Sequence, residues 1–299
     1  MSNQNKSFYT PPFSQQVWFT FLKICSIILK PLYLTGKKIK LLWETLDFYR
    51  KSNTFPLYND DILIVTYPKS GTTWLQMILY QLTTDGNMDF NHISEKIPFL
   101  ERLSGIGEGN QQDASRRIFK THLKYSLIPK GPCKYIYVVR DGRDVAVSYY
   151  HHYESLFGFK APFEAFFRRF MKGRVQYGNW FKHVYHWHRN SKKLDVLYLS
   201  YEELKNDLQA TIIRIAQFCE IPYDQEQLKR VVERSGFAFM KEHENKFEHI
   251  TEVIVEQGWI PGQFIRKGKS KYWSSYFTPP QEELYQKQYQ KWLENKKNT

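Results

Sequence analysis

The stretch DDILIVTYPKSGTTWLQMILYQL, residues 60–82, decides how this chain is read. Residues 62–67, ILIVTY, form a short apolar run of strand length, rich in β-branched side chains. Pro68 to Thr73 is a turn, and 74–82 is apolar enough for a helix. The turn brings Lys69, Ser70, Gly71, Thr72 and Thr73 to a helix N-terminus, where unpaired N–H groups and the helix dipole attract an anion. Gly71 allows close backbone approach, the hydroxyls add donors and Lys69 adds charge. An ordinary capped turn has no use for that density of donors. It is not a Walker A loop, which needs G-x-x-x-x-G-K-[ST]. The nearest approach is Gly268-Lys269-Ser270, with Gln263 where the first glycine belongs.

Further strands are expected at 116–122, 134–140 and 195–201, followed respectively by a loop, by the turn DGRD with a helix through 145–153, and by one helix over 202–219. A helical stretch covers 174–190, and a charged helix starts at Gln281, with Thr278 as a candidate cap. Alternating strands and helices predict an α/β fold: a single domain over 55–293 with a central parallel sheet flanked by helices. Ligands then sit beyond the carboxyl ends of the strands, at loops 67–73, 120–124, 140–148 and 200–203. Arg140 closes the third strand and Ser148 follows eight residues later. A guanidinium and that hydroxyl can grip a second phosphate; alone, the pattern is equally that of a surface ion-pair cluster.

The chain has 299 residues, 42% of them apolar, and 17% are aromatic. Collagen-like, low-complexity and disordered classes are excluded. The net charge of +13 predicts anionic partners. It concentrates at the two ends, 1–60 and 261–299. Three cysteines, Cys25, Cys133 and Cys219, give neither a disulfide framework nor a zinc pattern, so a reducing, cytoplasmic setting is expected. His183, His186 and His188 lack metal-helix spacing and are assigned to a partly solvated aromatic helix.

Residues 1–50 read as a basic amphipathic helical extension. In VWFTFLKICSIILKPLYL, 17–34, Lys23 and Lys30 break the apolar run, so neither a signal peptide nor a spanning helix is expected. Val17, Phe21, Ile24 and Ile28 form one stripe, and Thr20, Lys23 and Lys30 another. The apolar face either docks on the domain or lies on a membrane surface through residues 15–40.

YPKSGTTW at 67–74, KTH at 120–122, R-x7-S at 140–148, YEELK at 201–205 and Arg266-Lys267-Gly268 occur in that order. Together they resemble the cytosolic-type sulfotransferases, which use 3′-phosphoadenosine 5′-phosphosulfate (PAPS), over residues 55–293. The resemblance implies a P-loop-like nucleotide fold. In it, Lys69, Ser70, Gly71, Thr72 and Thr73 bind the 5′-phosphosulfate and Trp74 stacks on adenine. Arg140, Ser148, Arg266, Lys267 and Gly268 hold the 3′-phosphate. Tyr201, Ser235 and Phe237 contact the nucleotide, His122 is the catalytic base with Lys69 and Lys120 assisting, and Phe99 gates the acceptor pocket. No metal and no nucleic acid are implied. The acceptor is a hydroxyl (or amine) on an apolar small molecule or lipid.

Two departures stand out. The pattern R-K-G-x-x-G-D-W appears as RKGKSKYW, so Lys271 stands for Gly and the turn there is in question. The family dimer motif K-x-x-x-T-V-x-x-x-E lines up with Ser274, Thr278, Pro279 and Glu283, lacking its Lys and Val, so a monomer or a different dimer is expected. The competing functions are a nucleotide or phosphate kinase on a related sheet, and a membrane-surface nucleotide-binding protein without catalysis.

Overall fold

A computed structural model describes residues 55–102, 116–247, 265, 268 and 271–297. The chain divides after Lys51, and the described residues belong to the unit Ser52–Thr299. The amphipathic stretch 17–34, together with Arg266 and Lys267, lies outside them.

Four parallel strands stand in the order β2-β1-β3-β4: β1 (Ile62–Thr66), β2 (Ile118–Thr121), β3 (Lys134–Val139) and β4 (Val196–Ser200). Every residue of β1 is buried, which explains its continuous apolar run: a central parallel strand is covered on both faces. Asp61 sets the register at its start. This buried carboxylate accepts Nε of Arg117 at 2.8 Å from the neighbouring chain entering β2, and the Tyr58 amide at 2.8 Å.

The helices fill both faces. On one, α1 (Thr72–Thr83) packs Leu75, Ile78 and Leu79 against Ile62, Ile64 and Ile136. The other carries an aromatic cluster of Tyr67, Tyr149, Phe166, Phe170, Trp180 and Tyr285. These belong to the β1 turn, α3 (Gly142–Phe157), α4 (Phe163–Met171), α5 (Trp180–Arg189) and, at the end of the chain, α10 (Pro279–Lys297). Much of the aromatic content is therefore core. Two short helices complete the site's surroundings: α2 (Ile93–Lys96), and α9 (Phe237–Glu242) after α8 (Gln225–Arg234).

Three expectations need correction. The helix over 202–219 is two helices, α6 (Tyr201–Asn206) and α7 (Leu208–Phe218). Asp207 breaks the run with an extended backbone, and its carboxylate caps Ala210 N at 2.9 Å. The stretch 174–190 is helical only from Trp180, because Tyr177 and Gly178 adopt left-handed φ of 68° and 78° and Asn179 caps α5. The last helix begins at Pro279, with Gln281 Oε1 accepting the Thr278 amide at 2.9 Å; proline suits a first helical turn.

The doubtful turn at Lys271 survives. Lys271 takes a left-handed φ of 63°, and its amide and that of Trp273 donate to the buried Asp144 carboxylate at 2.8 and 3.2 Å. A side chain in this conformation costs ~1–2 kcal/mol, offset in a glycine variant by ~0.5–1 kcal/mol of added chain entropy. Lys271→Gly is therefore expected to stabilise the fold by about 0.5–1 kcal/mol, read as a higher urea midpoint. A lower midpoint would show that the lysine side chain holds the turn.

Candidate active site

Several of the predicted residues follow the carboxyl ends of β1, β2 and β3, beside the start of α1. Lys69 and Gly71 both have left-handed φ, 68° and 103°. This curls the loop so that α1 starts at Thr72 with no side chain capping it. Its first N–H groups and the Ser70, Thr72 and Thr73 hydroxyls are the donors this loop can offer an anion. A Cβ on Gly71 would come within 3.2 Å of the Tyr201 ring, so only glycine fits both the backbone and the space.

Arg140 leaves β3 and lies with its guanidinium 4.3 Å from the Tyr201 ring centroid. Its Nη1 donates to the Lys69 carbonyl at 3.2 Å, bracing the left-handed peptide of the loop. Trp74 meets Tyr201 edge-on at 5.4 Å, and its indole N–H donates to Ser235 O at 2.8 Å. Phe237, half-exposed at 49%, packs so closely on Gly268 that a Cβ there would lie 2.5 Å from its ring. Gly268 has φ of 58°. Contacts thus join Lys69, Gly71, Trp74, Arg140, Tyr201 and Ser235, with Phe237 two residues after Ser235 and Gly268 packed on its ring. Ser148, half-buried on α3, is not tied to this cluster by a described contact.

Three polar atoms on these segments are buried without a partner among the described residues: Ser70 Oγ, Arg140 Nε and Ser235 Oγ. Burying such groups unsatisfied is costly unless a ligand completes them. A nucleotide with phosphates at both ends fits this set of donors.

His122 follows β2. Its Nδ1 lies 2.8 Å from the Thr66 carbonyl and 3.1 Å from the Thr66 hydroxyl. A carbonyl only accepts, so Nδ1 carries the hydrogen and Nε2 keeps its lone pair. The rings of Phe99 and Tyr177 stand edge-on to the imidazole at 5.4 and 5.0 Å. The His122 amide donates to Glu101 Oε1 at 2.7 Å. Lys120 directs Nζ to Ser94 Oγ at 2.7 Å and Gln76 Oε1 at 3.2 Å, 4.1 Å from the Phe99 ring centroid. Phe99 pairs with Lys120 as an isolated parallel bridge, which places the expected gate beside the expected base.

Burial, then the positive charges of Lys120, His183 and Lys69, push the His122 pKa down to about 3; the Thr66 carbonyl opposes them. Burial likewise brings His183 down to about 4. His183 is fully buried between Tyr137 and Tyr67, with Nδ1 3.0 Å from the Tyr137 hydroxyl. α5 is the partly solvated helix expected: His186 and His188 are exposed, and His183 lies on the side that faces the sheet. Below about pH 6.5 the unfolded chain binds both protons, and the folded chain refuses them until about pH 4 and about pH 3. Stability should therefore fall as pH drops from about 6.5 towards 4, by up to two protons' worth of slope. A flat urea midpoint over that range would contradict neutral, buried imidazoles.

The sequence did not point to Thr66, Gln76, Ser94 and Tyr177. Thr66 was discoverable as a hydroxyl at a strand's carboxyl end; the others come from separate elements with no shared spacing. A cavity of about 460 Å³ borders Arg140 as well, lined by Tyr137, Trp180, Tyr198, Tyr285 and Tyr289. It includes neither His122 nor the Lys69 loop and is not the reaction site. Among the described residues no group of His, Cys, Asp or Glu is placed to hold a metal ion, and no helix is long and apolar enough to cross a membrane.

A parallel sheet with a glycine loop opening a helix after its central strand, an arginine at the end of the strand on one side and a buried histidine at the end of the strand on the other is the frame of a nucleotide-dependent group transferase. The chain belongs to the sulfotransferase domain family, whose pattern matches residues 59–297. Mouse sulfotransferase 1B1 is 38% identical over 267 residues, covering 84% of this chain and 86% of its own. Human sulfotransferase 1E1 is 34% identical, covering 81% and 87%. Among solved structures, retinol dehydratase with androsterone and the inactive cofactor PAP superposes with a TM-score of 0.69 at 27% identity, covering 84% of each chain. Mouse sulfotransferase SULT7A1 complexed with PAP gives 0.65 at 27% identity, covering 83% of this chain and 88% of its own.

Proposed function

We propose that the protein moves a sulfuryl group from PAPS to a hydroxyl of an apolar small molecule or lipid-like acceptor. The observation that carries this reading is that Ser70 Oγ, Arg140 Nε and Ser235 Oγ, on segments linked through Lys69, Tyr201 and Trp74, are buried and unpartnered among the described residues, while His122 at the end of the neighbouring strand keeps Nε2 as an acceptor. Family membership supports it. The relatives' complexes with PAP, and with androsterone or retinol as small molecules, supply the chemical class.

The roles are those that the family resemblance implies. Lys69 to Trp74 hold the 5′-phosphosulfate end and adenine; Arg140 and Ser148, with Arg266, Lys267 and Gly268, hold the 3′-phosphate. The acceptor oxygen attacks sulfur in line. Its proton goes to His122 Nε2, and the bond between sulfur and the bridging oxygen breaks towards the nucleotide phosphate. Lys69 and the α1 N-terminus face the charge that develops on that phosphate. Lys120 polarises the acceptor or the sulfonate. Phe99 and Tyr177 make the apolar wall through which the acceptor reaches the base. A kinase reading has no support in a loop that lacks the Gly-Lys-Ser/Thr ending.

Incubation with radiolabelled PAPS and a panel of phenols, sterols and glycolipids tests this, with label expected on at least one apolar alcohol. Label on none, together with no PAP binding, would overturn it. The setting proposed is cytoplasmic, with residues 15–40 as a peripheral contact to lipid. Equal sedimentation with liposomes by the full chain and by a chain lacking residues 1–40 would remove that contact.

A further inference from the structure

Thr66 ends β1 and is fully buried. Its hydroxyl oxygen stands between two functional groups, 3.1 Å from His122 Nδ1 and 2.7 Å from Thr72 Oγ1. The Thr66 carbonyl, 2.8 Å from the same Nδ1, fixes the proton on that nitrogen. Nδ1–H donates to Thr66. The Thr66 hydroxyl accepts there, and either hydroxyl can donate in its bond to Thr72; with an anion in the loop drawing the Thr72 hydrogen, the Thr66 hydrogen goes to Thr72 Oγ1. The Thr72 oxygen then accepts, and its hydrogen is directed to a further acceptor. Thr72 is the first residue of α1, where the loop gathers its anion donors.

We infer that Thr66 is a positioning residue that couples occupancy of the anion loop to the state of His122. An oxyanion accepting from Thr72 draws electron density along the row. Thr72 becomes a better acceptor for Thr66, Thr66 a better acceptor for Nδ1–H, and the imidazole a stronger base at Nε2. Chains of hydrogen bonds in a low-dielectric interior polarise one another in this way. The groups around His122 leave room for such control: Lys120 from β2, Lys69 from the loop and His183 from α5 oppose a proton on the ring, and the Glu101 carboxylate binds its amide. A free protein would hold a weak base, and one loaded with co-substrate a competent one. The inference rests on the roles proposed above for His122 and the anion loop.

Thr66→Val keeps the carbonyl, and so the tautomer, but removes the relay; Thr66→Ser restores it. Each full-length variant is compared with the native chain for turnover, KM for PAPS and the ¹⁵N resonances of the His122 ring with and without PAP. Thr66→Val should still bind PAP, lose most of the PAP-induced change in the His122 resonances, and fall about three- to tenfold in kcat, the size expected for one net hydrogen bond. Thr66→Ser should recover both. Were valine to disturb folding, Thr66→Ala would be read in the same way. A PAP response of native size in Thr66→Val, or turnover within about twofold of native, overturns the coupling. His122→Asn separates the two readings: native turnover there would remove the base role, while the resonance comparison would still judge the relay.

Discussion

His122→Ala is expected to lose at least ~100-fold in turnover, the usual cost of removing a general base, while PAP affinity stays within about threefold. The split follows from the geometry. His122 is held by Thr66 through Nδ1, among Phe99 and Tyr177. No described contact joins it to Arg140, Tyr201 or Trp74, the residues proposed to hold the nucleotide. The ring is nearly buried at 8% exposure, so alanine leaves a small cavity and some loss of stability. Urea unfolding of the variant separates that loss from the chemistry. Turnover within tenfold of native in a folded variant would mean that another group takes the acceptor's proton.

Arg140→Ala should weaken PAP binding by about 100-fold or more, with a matching fall in kcat/KM for PAPS. Charge-assisted hydrogen bonds to a phosphate in a partly buried site are worth ~1.5–3 kcal/mol each. This arginine does two things in the structure. Its Nε is buried and unpartnered among the described residues, and its Nη1 holds the Lys69 carbonyl in the left-handed turn. Removing it therefore loosens both ends of the nucleotide site. It also strips the Tyr201 ring of its cation. Arg140→Lys is expected to recover little, because an ammonium cannot offer the planar fork. Calorimetric affinity within threefold of native for Arg140→Ala would place the 3′-phosphate elsewhere.

What could be read in advance divides along a physical line. The four strands, the anion loop and the alternation of strand with helix are local. β1 is a continuous β-branched run because a central parallel strand is buried on both faces, and Gly71 is required where φ is 103°. Motif order pointed to residues of which Lys69, Trp74, Arg140, Tyr201 and Ser235 are linked by contacts, while Ser148 is not. Errors arose where a tertiary contact or a cap overrides propensity. Asp207 splits a helix that periodicity runs together. Tyr177 and Gly178 delay the start of α5 and so deliver the Tyr177 ring to His122. Lys271 holds a glycine's conformation because Asp144, 127 residues away, takes its amide. The relay through Thr66 and the seat of Lys120 on Gln76 and Ser94 join elements far apart in the chain, which no spacing rule reveals. The burial of His183 is of the same kind, since its partly solvated helix turns that side to the sheet.

The most direct test of the account is a pair of titrations of the native protein in one calorimeter, with PAP and with adenosine 5′-phosphate, which lacks the 3′-phosphate. A site that grips the nucleotide at both ends predicts that PAP binds at least ~100-fold more tightly, since the second phosphate adds charge-assisted bonds to Arg140. Equal affinities, or no binding of either, would contradict the central claim.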